Sequence, residues 1–183
     1  MATNSELAQL SSAVYQDNPA NMQLPQGWSY VMKSPLDPSG YQGYAFARFD
    51  AAGKPIEVVL ANRGTEPTSS LDRAADLQMM ANKLPDQYQF AKQFLDQVVN
   101  DPSNASASIT ITGHSLGGSL AQLLAADTGL SAVTFNPYGA KDLLSLIPSN
   151  SRILAGDFSN IQNHQTMLDG VSRLGGNSPV GSD

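Results

Sequence analysis

The chain of 183 residues contains no cysteine. That excludes disulfides, thiolate metal sites and cysteine nucleophiles, and it leaves the compartment open. No apolar run approaches the about 18 residues that a membrane-spanning helix needs. The polar opening Met1-Ala2-Thr3-Asn4-Ser5-Glu6 lacks the basic region and apolar core of a cleavable signal. Basic residues are few: ten Lys and Arg against sixteen Asp and Glu give a net charge of -6, and the positive charges form no patch or run. A nucleic-acid partner is therefore not expected, and the acidic surface serves mainly solubility. Only two histidines occur, His114 and His164, so an imidazole base can come from two positions. There is no internal repeat.

What is there centres on Ile109-Thr110-Ile111-Thr112-Gly113-His114-Ser115-Leu116-Gly117-Gly118. Four β-branched residues suit a packed, pleated strand. Leu116 to Asp127, with Leu120, Leu123 and Leu124 at helical spacing and alanines between, predicts a helix. Ser115 then sits in a sharp strand-to-helix bend, with Gly113 and Gly117 two residues to either side so that strand and helix can approach closely. A serine so placed presents its hydroxyl to substrate, the arrangement of a nucleophile elbow.

The length suits one domain, expected over 1–183, with a disordered glycine-rich tail over 175–183. Ser5 is expected to cap a first helix running through Tyr15. Strands are predicted over 27–33, 41–49 and 56–61, with a hairpin turn at Asp50-Ala51-Ala52-Gly53. The polar loop 62–70 leads into helices over 71–81 and 86–99. After the elbow helix come a strand over 132–136, a short helix over 140–147, a strand over 152–155 and a last helix over 164–174. Strands alternating with helices after residue 56 imply a mostly parallel central sheet with helices on both faces. An antiparallel meander precedes it, and the whole is an α/β-hydrolase-like fold.

A serine hydroxyl needs a base, held in turn by a carboxylate. His114 adjoins Ser115, and the turn directs neighbouring side chains away from the hydroxyl, so His114 reads as a packed structural residue and His164 as the base. Three acids are candidates. Asp157 follows the strand expected at 152–155, at its carboxyl end, where catalytic groups of open α/β sheets gather, and it preserves the order serine, acid, histidine. Asp169 follows the histidine and needs another order, and Asp142 sits near a helix start, where it favours the dipole. Only seven positions separate Asp157 from His164, a short connection. For the oxyanion, the Leu116 N–H at the start of the elbow helix is one donor, and Thr65, in the loop Arg63-Gly64-Thr65 after the third strand, is the second. Asp72 and Asp76 read as helix-start acids, either of which would brace Arg63.

The order Val58-Val59-Leu60-Ala61-Asn62-Arg63-Gly64-Thr65, then Asp72 and Asp76-Leu77, then Ile109 to Gly118, then Thr134-Phe135-Asn136-Pro137 resembles the class 3 lipase family, the fungal-type triacylglycerol lipases and their bacterial relatives, over about residues 5–170. The resemblance implies a serine carboxylic ester hydrolase, with Ser115 as nucleophile and Thr65 in the oxyanion hole. It further implies a lipid or ester substrate, met in some members at a lipid interface, and neither metal nor organic cofactor. The segments around Asp157 and His164 match the family only loosely, and Arg73 stands where a tryptophan is usual. Leu77 to Leu84, with Met79 and Met80, reads either as a lid or acyl-pocket wall or as the core face of a helix. Two other functions fit the same residues: a phospholipase A1 acting on membranes, and a non-catalytic module that keeps the fold to bind a lipid or a partner.

Overall fold

The structure, a computed structural model, describes residues 1–36, 38–64, 86–148, 150–165 and 180–182. The expected helix over 71–81, the lid candidate at 77–84, Thr65, Asp72, Asp76 and Asp169 lie outside the described residues.

Six strands form one sheet in chain order: β1 (Ser29–Lys33), β2 (Gly43–Phe49), β3 (Pro55–Asn62), β4 (Ser108–His114), β5 (Ser131–Phe135) and β6 (Ile161–His164). The first three are antiparallel, and β3 to β6 are parallel. The β2–β3 hairpin turns where expected. The Asp50 carboxylate accepts the N–H groups of Ala52 and Lys54 at 2.9 and 2.8 Å, a side-chain-closed turn of the kind Asp favours.

Helix α2 (Asp86–Asn100) joins β3 to β4, and α3 (Leu116–Thr128) joins β4 to β5. Each crossover steps the same way along the sheet, so the right-handed rule sends both helices to one face. Tyr88, Ala91, Phe94, Leu95 and Val98 of α2 meet Leu120, Leu123 and Leu124 of α3 there, over Val58, Leu60 and Ile111 of the sheet. The alternate residues Val59 and Ala61, with Tyr44 and Phe46, face the other side, where α1 (Asn4–Ala13) packs Leu7 and Leu10 upon them. This period-2 division places apolar residues on both faces of β3. Burying each of these leucines contributes about 1.5–3 kcal/mol. The α/β-hydrolase-like architecture is as expected. Among the described residues no helix is long and apolar enough to cross a membrane.

The details differ in instructive ways. The cap of α1 is Thr3, not Ser5: its hydroxyl accepts the Glu6 N–H at 3.2 Å while the Glu6 carboxylate accepts the Thr3 N–H at 2.8 Å, a capping box. The segment 140–147 forms a single 3-10 stretch, Lys141–Leu146. The expected strand over 152–155 is instead one turn of helix, α4 (Ser151–Ala155), opened by the Asn150 side chain accepting the Arg152 and Ile153 N–H groups and closed by Gly156 at φ 65°. His164 ends a strand rather than opening a helix, because Ile161 to His164 pair with Ala132 to Phe135.

Residues 180–182, the described part of the segment 175–183, pack beside β6. Val180 is buried, its N–H donates to Gln122 Oε1 at 3.1 Å, and Asn163 Nδ2 donates to the Val180 and Ser182 carbonyls.

Candidate active site

β4 ends at His114 and α3 begins at Leu116, leaving Ser115 alone to make the turn. Its backbone takes φ 57° and ψ -127°, a conformation that costs a residue with a Cβ about 1–3 kcal/mol and persists only when its surroundings enforce it. They do so at close range. A Cβ on Gly113 would lie 2.3 Å from the Gly117 carbonyl oxygen, and one on Gly117 would lie 2.1 Å from the Asn62 carbonyl oxygen. Only hydrogen fits between β4, the start of α3 and the end of β3. The Ser115 N–H donates to the Phe135 carbonyl at 3.1 Å, tying the bend to β5.

The Ser115 hydroxyl makes no capping bond to α3, although serine is a favoured cap. It is half-buried, at the carboxyl edge of the parallel strands, and among the described residues it has no hydrogen-bond partner. Leu116 N–H belongs to the first turn of α3, where amides lack a carbonyl four residues back and are available to an anion. The end of β3 lies beside it: a Cβ on Gly64 would sit 2.8 Å from the His114 carbonyl oxygen and 3.5 Å from the Gly117 nitrogen. The loop leading to Thr65 thus reaches the elbow.

The two histidines separate as expected in one respect. His114 Nδ1 is 3.2 Å from the Tyr15 hydroxyl, with the two rings edge to face. His164 occupies the same edge of the sheet as Ser115, two strands away, in register with Phe135. Its ring stacks on Phe135 at 5.4 Å, and its Nε2 is buried with no hydrogen-bond partner among the described residues. No hydrogen bond joins it to Ser115. The Asn136 N–H donates to the His164 carbonyl at 2.7 Å, and Asn136 itself sits at φ 44°.

Asp157 does not join this group. It precedes β6, whose first residue Ile161 pairs with Ala132, itself level with Ile111. Ile111 is four residues before Ser115, about 13 Å along a strand, and Asp157 lies further back, at the amino end of the sheet. Its carboxylate is half-exposed and accepts the Ser159 hydroxyl at 2.8 Å and N–H at 3.3 Å, with Arg152 at 3.8 Å. The Ser159 hydroxyl, then its N–H, then Arg152 hold this carboxyl below its usual range. These bonds close the turn before β6, and the structure does not bring Asp157 together with Ser115 and His164. Asp157→Asn is expected to keep esterase activity within about fivefold, since an exposed ion pair is worth at most ~1 kcal/mol. A thousandfold loss in a p-nitrophenyl ester assay would reverse this placement. Asp142 is exposed on the 3-10 stretch. Among the described residues, no three His, Asp or Glu side chains gather as a metal site would need.

Several residues with a place at this edge were not singled out by sequence: Tyr15, Asp17 and Gln42 around Arg63, and Asn136. Asn136 had a signal, since Asn tolerates the left-handed region and Pro137 follows it. Among the described residues Arg63 bonds Asp17 and Gln42; Asp72 and Asp76, either of which could also brace it, lie outside them.

Residues 6–173 match the family model described as phospholipase-like, Tle-like phospholipase domain. The chain belongs to this family. Its domain is therefore lipase- and phospholipase-like, in keeping with the resemblance carried by residues 58–65, 109–118 and 134–137. None of the curated proteins is a match. Among solved structures, a triacylglycerol lipase from Penicillium expansum is similar in fold, with a TM-score of 0.55 at 16% identity, over 92% of this chain and 70% of that one. A Rhizomucor miehei lipase in complex with its propeptide has a TM-score of 0.47 at 14% identity, over 74% of this chain and 52% of that one. An extracellular lipase from Serratia marcescens has a TM-score of 0.44 at 16% identity, over 80% of this chain and 28% of that one. The Tle-like domain thus spans about half or less of the last two.

Proposed function

We propose that the protein is a serine hydrolase of lipid carboxylic esters, working through an acyl-enzyme. The observation that carries this reading is Ser115, held at positive φ between β4 and α3 with its hydroxyl uncommitted. The hydroxyl attacks the acyl carbonyl and passes its proton to a base, and the oxyanion is held by the Leu116 N–H and by Thr65. The alcohol leaves, and water then repeats the cycle on the acyl-enzyme.

Within this chain the base falls to His164, because His114 is engaged by Tyr15. An unpartnered buried Nε2 at the edge that also carries Ser115 supports the choice. With Asp157 at the wrong end, the acid is Asp169. β6 leaves the sheet at the catalytic edge, and five residues of chain span at most about 18 Å, so a carboxylate that follows His164 by five positions can return to it. The alternative, Asp142, is exposed.

The family description favours a phospholipid over a triacylglycerol as substrate. A fluorophosphonate probe should label Ser115, and phosphatidylcholine vesicles should release fatty acid from sn-1 faster than a triacylglycerol emulsion does. Faster release from the emulsion would make the protein a triacylglycerol lipase. A chain that neither takes the probe nor releases fatty acid would be a lipid- or partner-binding module on the hydrolase fold.

A further inference from the structure

The exit of α1 reaches the elbow and the end of β3 together. Tyr15 follows the last turn of the helix, its N–H donating to the Ser12 carbonyl at 3.2 Å. From there its hydroxyl lies 3.2 Å from His114 Nδ1 and occupies the space beside Gly64, where a Cβ would come within 2.6 Å of it. The Arg63 guanidinium lies over its ring at 5.6 Å. That guanidinium is almost fully buried, and Asp17, two residues beyond Tyr15, meets it at 2.7 Å from the solvent side. Gln42 completes the hold twice: its side-chain oxygen accepts from Arg63 Nη1 at 2.8 Å and its carbonyl accepts the Arg63 N–H at 2.9 Å.

We propose that Tyr15 and Asp17 are positioning residues, a brace at the end of α1 that locks the Arg63-Gly64 loop against the Ser115 elbow. The proposal rests on the reading of Ser115 as nucleophile only for its catalytic consequence. The physical need is plain. Hydrogen-bond donors from two loops must hold one oxygen, and an error of about 1 Å between them costs on the order of a hundredfold in rate. No strand pairing described for β3 and β4 spans the bend itself: the two are in register up to Asn62 and Gly113, where the ladder ends. Tyr15 touches both. Its ring provides bulk, its hydroxyl sets the His114 tautomer and ring plane, and Asp17 keeps the guanidinium from withdrawing along the ring face. A residue that served α1 packing alone would need neither the hydroxyl nor the carboxylate.

Tyr15→Phe keeps the ring and removes only the hydroxyl; Asp17→Asn alters a side chain that is 79% exposed, so it leaves folding intact. Both should be made in the full chain. Amide hydrogen exchange is read at Arg63, Ser115, Gly118 and Ser119, each bonded in the fold, together with kcat and KM on p-nitrophenyl butyrate. Exchange at these four amides should quicken more than tenfold, with the α2 amides unchanged. kcat should fall ten- to a hundredfold with KM within twofold, and Asp17→Glu should recover most of it. Exchange and kcat both within twofold of the parent in the two variants would overturn the brace. Exchange that responds in a chain without turnover keeps the brace and removes the hydrolase reading. A labelled, active chain whose exchange does not respond does the opposite.

Discussion

Ser115→Ala should lower kcat on a p-nitrophenyl ester by about 10⁶ and leave the fold intact, as expected where a nucleophile acts as one unit with its base. Alanine keeps a Cβ, so the bend at φ 57° is no more strained than before. The hydroxyl caps nothing and has no partner among the described residues, so its loss breaks no structural bond. The thermal midpoint should therefore move by only a few degrees, on the order of what 1 kcal/mol produces in a domain of this size. Residual turnover above water would come from the Leu116 N–H and the substrate contacts. A loss below tenfold, with the midpoint unchanged, would show that Ser115 forms no acyl-enzyme and that the strained bend serves close packing alone.

The elbow could be read from sequence because its determinants are local. A β-branched run, two glycines at fixed offsets and an Ala/Leu helix each point to the same geometry, and the structure places strand and helix within one residue of the expected bounds. The C-terminal third was not legible in the same way. Arg152-Ile153-Leu154-Ala155 looks like a short strand because its middle is apolar, but two capping signals flank it, Asn150 and Gly156, and a single helical turn satisfies both. Ile161-Gln162-Asn163-His164 has one apolar residue in four and reads as a loop. Its buried polar position, Asn163, is acceptable in a sheet only because distant residues meet it: Gln122 Nε2 and Thr134 Oγ1 donate to its Oδ1 at 2.9 and 2.7 Å. Nothing local announces those partners. Exchanging the two elements moved Asp157 from the carboxyl end of a strand to the amino end of the next, away from the edge that carries Ser115. The brace at Tyr15 and Asp17 was likewise hidden, since it joins positions 46 and 99 residues apart.

His164→Ala should lower kcat by a factor approaching that of Ser115→Ala, about 10⁴–10⁶, since residues of one proton-transfer unit lose most of their effect when any member is removed. The fold should tolerate it. The ring loses its stack on Phe135, worth about 1 kcal/mol, while the removal of a buried nitrogen with no partner among the described residues offsets a desolvation cost of about 1–3 kcal/mol. A second signature separates a base from a packing residue. His164→Phe would restore the stack without restoring activity. If either substitution costs less than tenfold, another group takes the proton. His164 is then an edge residue seated on Phe135, and the assignment of Asp169, which depends on it, falls as well. The Ser115 reading would stand on its own substitution.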